Sequence, residues 1–279
     1  MRIRVNHQTI YRYDPPAHGA IQILRLTPRN HDGQYVVAWR IDVSESCRLQ
    51  AHDDAFGNIT HTFAIDGPIE ELRVLVEGEV ETQDTSGVVR GTVERFHPSL
   101  FLRQTELTET SEAIRAFAME AAGDAGVDRL ERLHTLMGAL GDAMTYDPDP
   151  THASTTAVEA FELKRGVCQD FAHIFTGAAR QLGIPARYVS GYLVGDGAED
   201  GSDAGHQAGH AWAEAYVDGL GWIGFDAANC LCPTDAYVRV ATGLDYLGAA
   251  PVRGNRYGGG EEKLSVALTV DQSSRQVQG

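Results

Sequence analysis

The sequence predicts an α+β protein in two parts, a β-sandwich-like region over residues 1–100 and a mixed helix-and-strand region over residues 101–279. Three observations predict it. Strand-length segments rich in β-branched residues crowd the first hundred residues; apolar periods of three and four take over near Thr108; strict alternation returns at His210, ahead of a last strand near the C-terminus. A length of 279 residues suits two domains better than one core.

The first region reads as "RIRVNHQTIYRY", "AIQILRL", "YVVAWRIDVS", "NITHTFAI" and "ELRVLVEGEVET". Turn signals separate these segments: Asp14-Pro15-Pro16, Asn30-His31-Asp32-Gly33, Phe56-Gly57-Asn58 and Asp66-Gly67-Pro68. Short strands at this spacing predict a small sandwich, with scaffolding or substrate docking as its role.

Helices follow. "TSEAIRAFAMEAAG" runs to Gly123, and "DRLERLHTLMGALGDAM" opens on Asp128-x-x-Glu131, a capping-box-like start, with Leu130, Leu133, Met137 and Leu140 on one stripe. A third, shorter helix covers about Thr156 to Lys164, with Gly166 as its left-handed cap. The tail "RGNRYGGGEEKLSVALTVDQ" is a glycine-rich loop, then a strand and a frayed polar end.

Acidic residues exceed basic ones by 16, a field that repels phosphate backbones and anionic membrane surfaces and argues against nucleic-acid and membrane partners. The segment "MRIRVNHQTIYRY" alternates like a strand and lacks the apolar run of a signal peptide, which predicts a cytoplasmic protein with reduced thiols. Its four cysteines are then free, and Cys230-x-Cys232 has no second pair at zinc-site spacing and reads as structural.

One of the four stands out. In "RGVCQDFAHIF", Cys168 opens an amphipathic helix whose apolar residues Phe171, Ala172, Phe175, Ala178, Ala179 and Leu182 recur at three and four, until Gly183 and Pro185 end it. Cys168 lies on that stripe and in the first turn, where unpaired N–H groups and the helix dipole favour an anion. Such a position lowers a thiol pKa and offers the Cys168 N–H as an oxyanion donor. A buried cysteine used as a small hydrophobe is the plain alternative.

A thiol nucleophile needs a base, and the base needs an orienting partner. In "GHAWAEAYVDGLGWIGFD", His210, Trp212, Glu214 and Tyr216 share one strand face, and the small Ala211, Ala213, Ala215 and Val217 leave the other open to a helix. A three-residue loop pairing Val217 with Gly221 sets Trp212 opposite Asp226, with His210 as the diagonal neighbour, about 7–8 Å away and within imidazole–carboxylate reach. A four-residue loop puts Asp226 on the wrong face. His206 is a rival base, and with His210 a zinc-like i, i+4 pair if helical, but flanking glycines and the alternation argue strand. His173 projects to another face of the Cys168 helix and reads as a core or surface histidine.

In that order, Cys168, His210 and Asp226 resemble the transglutaminase-like superfamily. "RGVCQDFAHIFTGAARQLGIPARYVSGY" looks like its nucleophile helix and following strand, "GHAWAEAYVDGLGWIGFDAAN" like its His–Asp hairpin, and "MTYDPDPTHASTTAVEAFELKRGVC" like its approach segment. Tyr11 and the turn from Asp54 to Asn58 resemble the β-rich domain that precedes this core in a bacterial subset, so the resemblance spans nearly the whole chain. Many relatives read D-P-T-N where this chain has Asp226-Ala227-Ala228-Asn229, which keeps the carboxylate and the asparagine.

The resemblance implies a papain-like α+β core and a Cys168–His210–Asp226 triad that acts on amide or peptide bonds through a thioester, with no cofactor and no metal. Water as acceptor gives a peptidase or amidase, and an amine acceptor gives a transglutaminase. The lack of further C-terminal β domains and of a D-x-D-x-D-G calcium loop leans towards hydrolysis. A non-catalytic peptide-binding module and a zinc hydrolase built on His206, His210 and the C-x-C pair are the other classes. Tyr146 is the candidate side-chain oxyanion donor beside the Cys168 N–H, and Trp212 and Trp222 are candidate walls of the substrate groove. Asp170 and Arg187 read as structural, Arg187 through a carboxylate that the sequence does not identify. The acidic, glycine-rich loop 195–209 reads as a solvated loop or a lid. The expected partner is a peptide or protein substrate; oligomeric state is left open.

Overall fold

A computed structural model describes residues 1–195 and 209–272. Its first sheet is built on two long strands, β1 (Arg2–Thr27) and β4 (Ile59–Thr82), joined by β2 (Gln34–Val43) and β3 (Gln50–Asp53), both of which pair with β4. The segments predicted as "RIRVNHQTIYRY" and "AIQILRL" are thus a single strand, as are "NITHTFAI" and "ELRVLVEGEVET". The prolines between them bend the ladder instead of ending it. Proline has no N–H to donate, and the β1–β4 pairing shifts register between Arg12 and Ala17 and again before Gly19, then resumes. Gly67 is required at that bend, because a Cβ there would lie 2.3 Å from the Ala17 carbonyl oxygen. Leu24, Phe63 and Ile65 from one half and Leu72, Val74 and Val76 from the other belong to one buried apolar cluster. The sandwich-like region is therefore built on one continuous sheet.

The second sheet has the order β11-β8-β9-β10-β5. Its strands are β5 (Val88–Val89), β8 (Ala186–Leu193), β9 (His210–Val217), β10 (Gly221–Phe225) and β11 (Tyr237–Gly243). A small parallel pair, β6 (Thr145–Tyr146) and β7 (Arg165–Gly166), lies apart from it. The helices are α1 (Glu112–Ala122), α2 (Arg129–Ala143), α3 (Ala157–Leu163), α4 (Cys168–Gln181) and the single turn α5 (Tyr246–Ala249). Ser111, Asp128 and Thr156 cap the first three, each accepting a bond from a first-turn N–H. The left-handed cap of α3 is Lys164 (φ 56°), not the expected Gly166. Gly166 belongs to β7, and a Cβ there would meet the Asp170 carboxylate at 2.5 Å.

The small face of β9 does admit a helix. Ala213, Ala215 and Val217 share a core with Phe171, Ile174, Phe175, Ala178 and Ala179 of α4, over which α1, α2 and α3 close. Among the described residues, no helix is long and apolar enough to cross a membrane.

Hydrogen bonding does not follow a division at residue 100. The strand β5 joins the second sheet, while β12 (Val252–Tyr257) and β13 (Glu261–Gln272) return to the first and pair with β1 from Gly19 to Leu24 and from Ile3 to Asp14. They cover an edge that would otherwise expose a long row of unpaired backbone groups. The two sheets meet through Ile3, Val5 and Val80 of the first and Tyr188, Tyr192, Val238 and Val240 of the second. Two side-chain amides seal the free edge of β11. The Gln34 amide donates to the Arg239 carbonyl at 2.9 Å and accepts from the Arg239 N–H at 2.8 Å; Asn58 does the same for Thr242, at 2.8 Å each way. The Asp54–Asn58 turn thus has a structural task, since Asp54 accepts from the Phe56 and Asn58 N–H groups and from the Asn58 amide.

Candidate active site

Cys168 is the first residue of α4 and is half-buried. Asp170 fixes the start of that helix by accepting from the Val167 N–H at 2.8 Å and the Thr151 hydroxyl at 2.7 Å. His210 is the first residue of β9, and Asp226 follows directly on β10. The β9–β10 hairpin has the register of the three-residue loop, with Gly221 opposite Val217 and Phe225 opposite Ala213. That register brings His210 to Asp226: the imidazole Nε2–H donates to Asp226 Oδ2 at 2.6 Å. With Nε2 committed to Asp226, Nδ1 is the nitrogen left to face Cys168, which lines the same cleft as His210. Burial disfavours the imidazolium, but the charge of Cys168 and the bond to Asp226 outweigh it and push the His210 pKa up to about 10.

Asp226 is held on all sides. Besides His210, its Oδ2 accepts from the Tyr237 hydroxyl at 2.7 Å and the Asn229 amide at 2.8 Å. Its Oδ1 accepts from the Ala228 N–H at 3.1 Å and the Asn229 N–H at 3.3 Å. Burial raises a carboxyl pKa; here the bonds and charge of His210, with those of Tyr237 and Asn229, prevail and keep Asp226 ionised. The retained asparagine of Asp226-Ala227-Ala228-Asn229 is therefore a direct partner of the carboxylate.

Cys168 and His210 open into a cleft of about 350 Å3, walled by Tyr146, Pro148, His152, Tyr188, Tyr246 and Pro251. Tyr146 is 42% exposed and is no core residue. The strand pair β6–β7 sets it beside Gly166, two residues before Cys168. Its hydroxyl pKa is pushed up to about 12 by burial and by the charges of Cys168, Asp226 and Asp170, so it stays a donor.

The structure corrects the placement of Trp212 and Trp222. Both share the strand face of His210, but both are buried and neither lines the cleft. Trp212 stacks on His210, with ring centres 6.2 Å apart, and meets Tyr237 edge-on at 5.4 Å. Trp222 lies under the Arg187 guanidinium at 3.9 Å and against Phe101. Alternation assigns the face correctly, but not what covers it. The partner of Arg187 is Glu214, which also binds Arg239, and Arg187 reaches on to Glu94. His173 is a core residue whose Nε2 accepts from the Tyr246 N–H at 3.0 Å. All four cysteines are free thiols, and among the described residues no group of three or more His, Cys, Asp or Glu converges as a metal site. His206, residues 196–208 of the acidic loop and the chain after residue 272 lie outside the described residues.

Sequence reading missed Tyr237 and Gln34. A tyrosine at the head of a strand has no pattern that separates it from a core tyrosine, and its bond to Asp226 depends on the path of the intervening loop.

A thiol at a helix start, with an imidazole and a carboxylate on adjacent antiparallel strands beneath a cleft, marks a cysteine-dependent enzyme. The chain belongs to the transglutaminase-like superfamily. Residues 115–227 match the model of that superfamily's core, and residues 3–81 match the bacterial transglutaminase-like N-terminal region. An uncharacterised protein of Mycobacterium leprae is 30% identical over 282 residues, 96% of this chain and 98% of the relative. One from Mycobacterium tuberculosis is 30% identical over 290 residues, 97% of this chain and 92% of the relative. The crystal structure of a candidate cysteine protease from Cytophaga hutchinsonii has the same fold, with a TM-score of 0.76 at 20% identity over 99% of this chain and 92% of that one.

Proposed function

We propose that the protein is a hydrolytic acyl-transfer enzyme that cleaves amide or peptide bonds with Cys168 as nucleophile, His210 as acid and base, and Asp226 as the residue that orients the imidazole. The observation that carries this reading is the 2.6 Å bond from His210 Nε2 to Asp226, with His210 and Cys168 lining one open cleft. The raised His210 pKa supports a protonated imidazole at neutral pH.

The thiolate sulfur attacks the substrate carbonyl carbon, and the carbonyl electron pair moves to oxygen. The resulting oxyanion takes hydrogen bonds from the Cys168 N–H, a first-turn donor with no partner inside its helix, and from the Tyr146 hydroxyl. His210 gives its Nδ1 proton to the leaving nitrogen, the C–N bond breaks, and a thioester remains. A water molecule then yields a proton to Nδ1 while its oxygen attacks the thioester carbon, which frees the acid and restores the thiolate–imidazolium pair. Asp226 keeps Nε2–H pointed away from the reaction throughout.

Hydrolysis agrees with the description of the Cytophaga hutchinsonii structure as a candidate cysteine protease. The test is incubation of a defined peptide mixture with wild type and Cys168→Ala, with and without a primary amine, read by mass spectrometry. Products that gain water in wild type alone support the reading. Products that gain the amine and lose ammonia overturn the hydrolytic half, and identical spectra from both proteins overturn the whole.

A further inference from the structure

We infer that Tyr237 is a positioning residue through which the β-rich sheet holds the Asp226–His210 pair in working geometry. This rests on the triad reading above and gives the N-terminal region a part in it.

Three hydrogen bonds converge on Asp226 Oδ2, and that from Tyr237 is the one that reaches it from outside the β9–β10 hairpin. The His210 and Asn229 bonds come from the hairpin and its own turn, so they travel with Asp226 if the hairpin shifts. Tyr237 does not. Its ring also meets His210, with centres 5.7 Å apart at 62°, and Trp212 edge-on, so it limits rotation of the imidazole as well.

The first sheet holds Tyr237 from both sides along the chain. Two residues before it, the Asp235 carbonyl accepts from the Thr82 hydroxyl at the end of β4. Two residues after it, the Gln34 amide closes a two-bond ring with the Arg239 backbone. Arg239 needs that ring, because β11 is an edge strand and its pairing with β8 shifts register between Arg239 and Ala241. Gln34 and Thr82 are both buried, so water does not replace them cheaply. Contacts run without a gap from the first sheet to β11, Tyr237, Asp226 and His210.

The test reads the rate of Cys168 alkylation by iodoacetamide against pH in the full chain. The charged groups facing His210 are Cys168 and Asp226, and the alkaline step of the profile reports loss of the imidazolium proton. Tyr237→Phe takes a donor from Asp226, so the carboxylate attracts the imidazolium more strongly. The step should move up by roughly half a pH unit, with turnover reduced at every pH. Gln34→Ala should move the step in the same direction, and adding it to Tyr237→Phe should produce no further shift, as expected when one residue acts through the other. If Gln34→Ala does not fold, Thr82→Val, which removes a single hydroxyl, takes its place. A Tyr237→Phe profile that superimposes on wild type overturns the inference. So does a Gln34→Ala shift that persists undiminished in the Tyr237→Phe background. Alkylation with no His210-dependent feature in wild type instead removes the triad reading, and this inference with it.

Discussion

Arg187 and Glu214 face each other across β8 and β9, with Arg187 Nε 2.6 Å from Glu214 Oε2 and both side chains all but sealed from solvent. Arg239 Nε takes the other carboxylate oxygen at 2.6 Å. Burial pushes the Glu214 pKa up, but the two guanidinium groups prevail and bring it down to about 2 from a usual 4.5. A carboxyl whose folded pKa is depressed contributes stability in full above its unfolded pKa and loses it as pH falls through the folded one. The network should therefore weaken between about pH 4.5 and 2. Urea midpoints across that range should fall more steeply for wild type than for Glu214→Gln, and parallel curves would show that the network does not titrate with folding. At neutral pH Glu214→Gln should cost about 3 kcal/mol, because two buried guanidinium groups lose their shared carboxylate.

Tyr146→Phe tests the oxyanion donor. Tyr146 is substantially exposed, so losing its hydroxyl should leave the melting temperature unchanged. Turnover should fall roughly 100-fold with little change in KM, as for loss of one oxyanion donor. An unchanged kcat would remove Tyr146 from the chemistry.

Trp222 tests the corrected position of the tryptophans. Trp222→Leu should lower stability by roughly 2 kcal/mol through lost packing and the lost cation–π contact with Arg187. Relative rates across a peptide series should not change, since Trp222 does not touch the cleft. Altered selectivity at constant stability would return it to the groove.

The parts of the site that were legible in the sequence are those with local patterns. Alternation from His210 to Val217 leaves two registers open, and the one with the three-residue loop is the one that brings His210 to Asp226. The stripe through Cys168, together with Gly183 and Pro185, marks both ends of α4. What was not legible depends on distant contacts. Asp14-Pro15-Pro16 has the chemistry of a turn, yet β1 continues through it because β4 bends at the same level. Gln34 and Asn58 carry no local sign that their amides will serve as the missing neighbour of a strand some two hundred residues away. Trp212 and Trp222 were assigned to the correct face of the hairpin, but Tyr237, Phe101 and Arg187, which cover that face, come from elsewhere in the chain.

The most direct test of the central claim is the pH dependence of Cys168 alkylation by iodoacetamide, with the site identified by mass spectrometry, in wild type and His210→Ala. The account predicts rapid labelling of wild type well below the free-thiol pKa of about 8.5, lost in the variant. Slow labelling with an ordinary thiol midpoint, the same in both proteins, would contradict it.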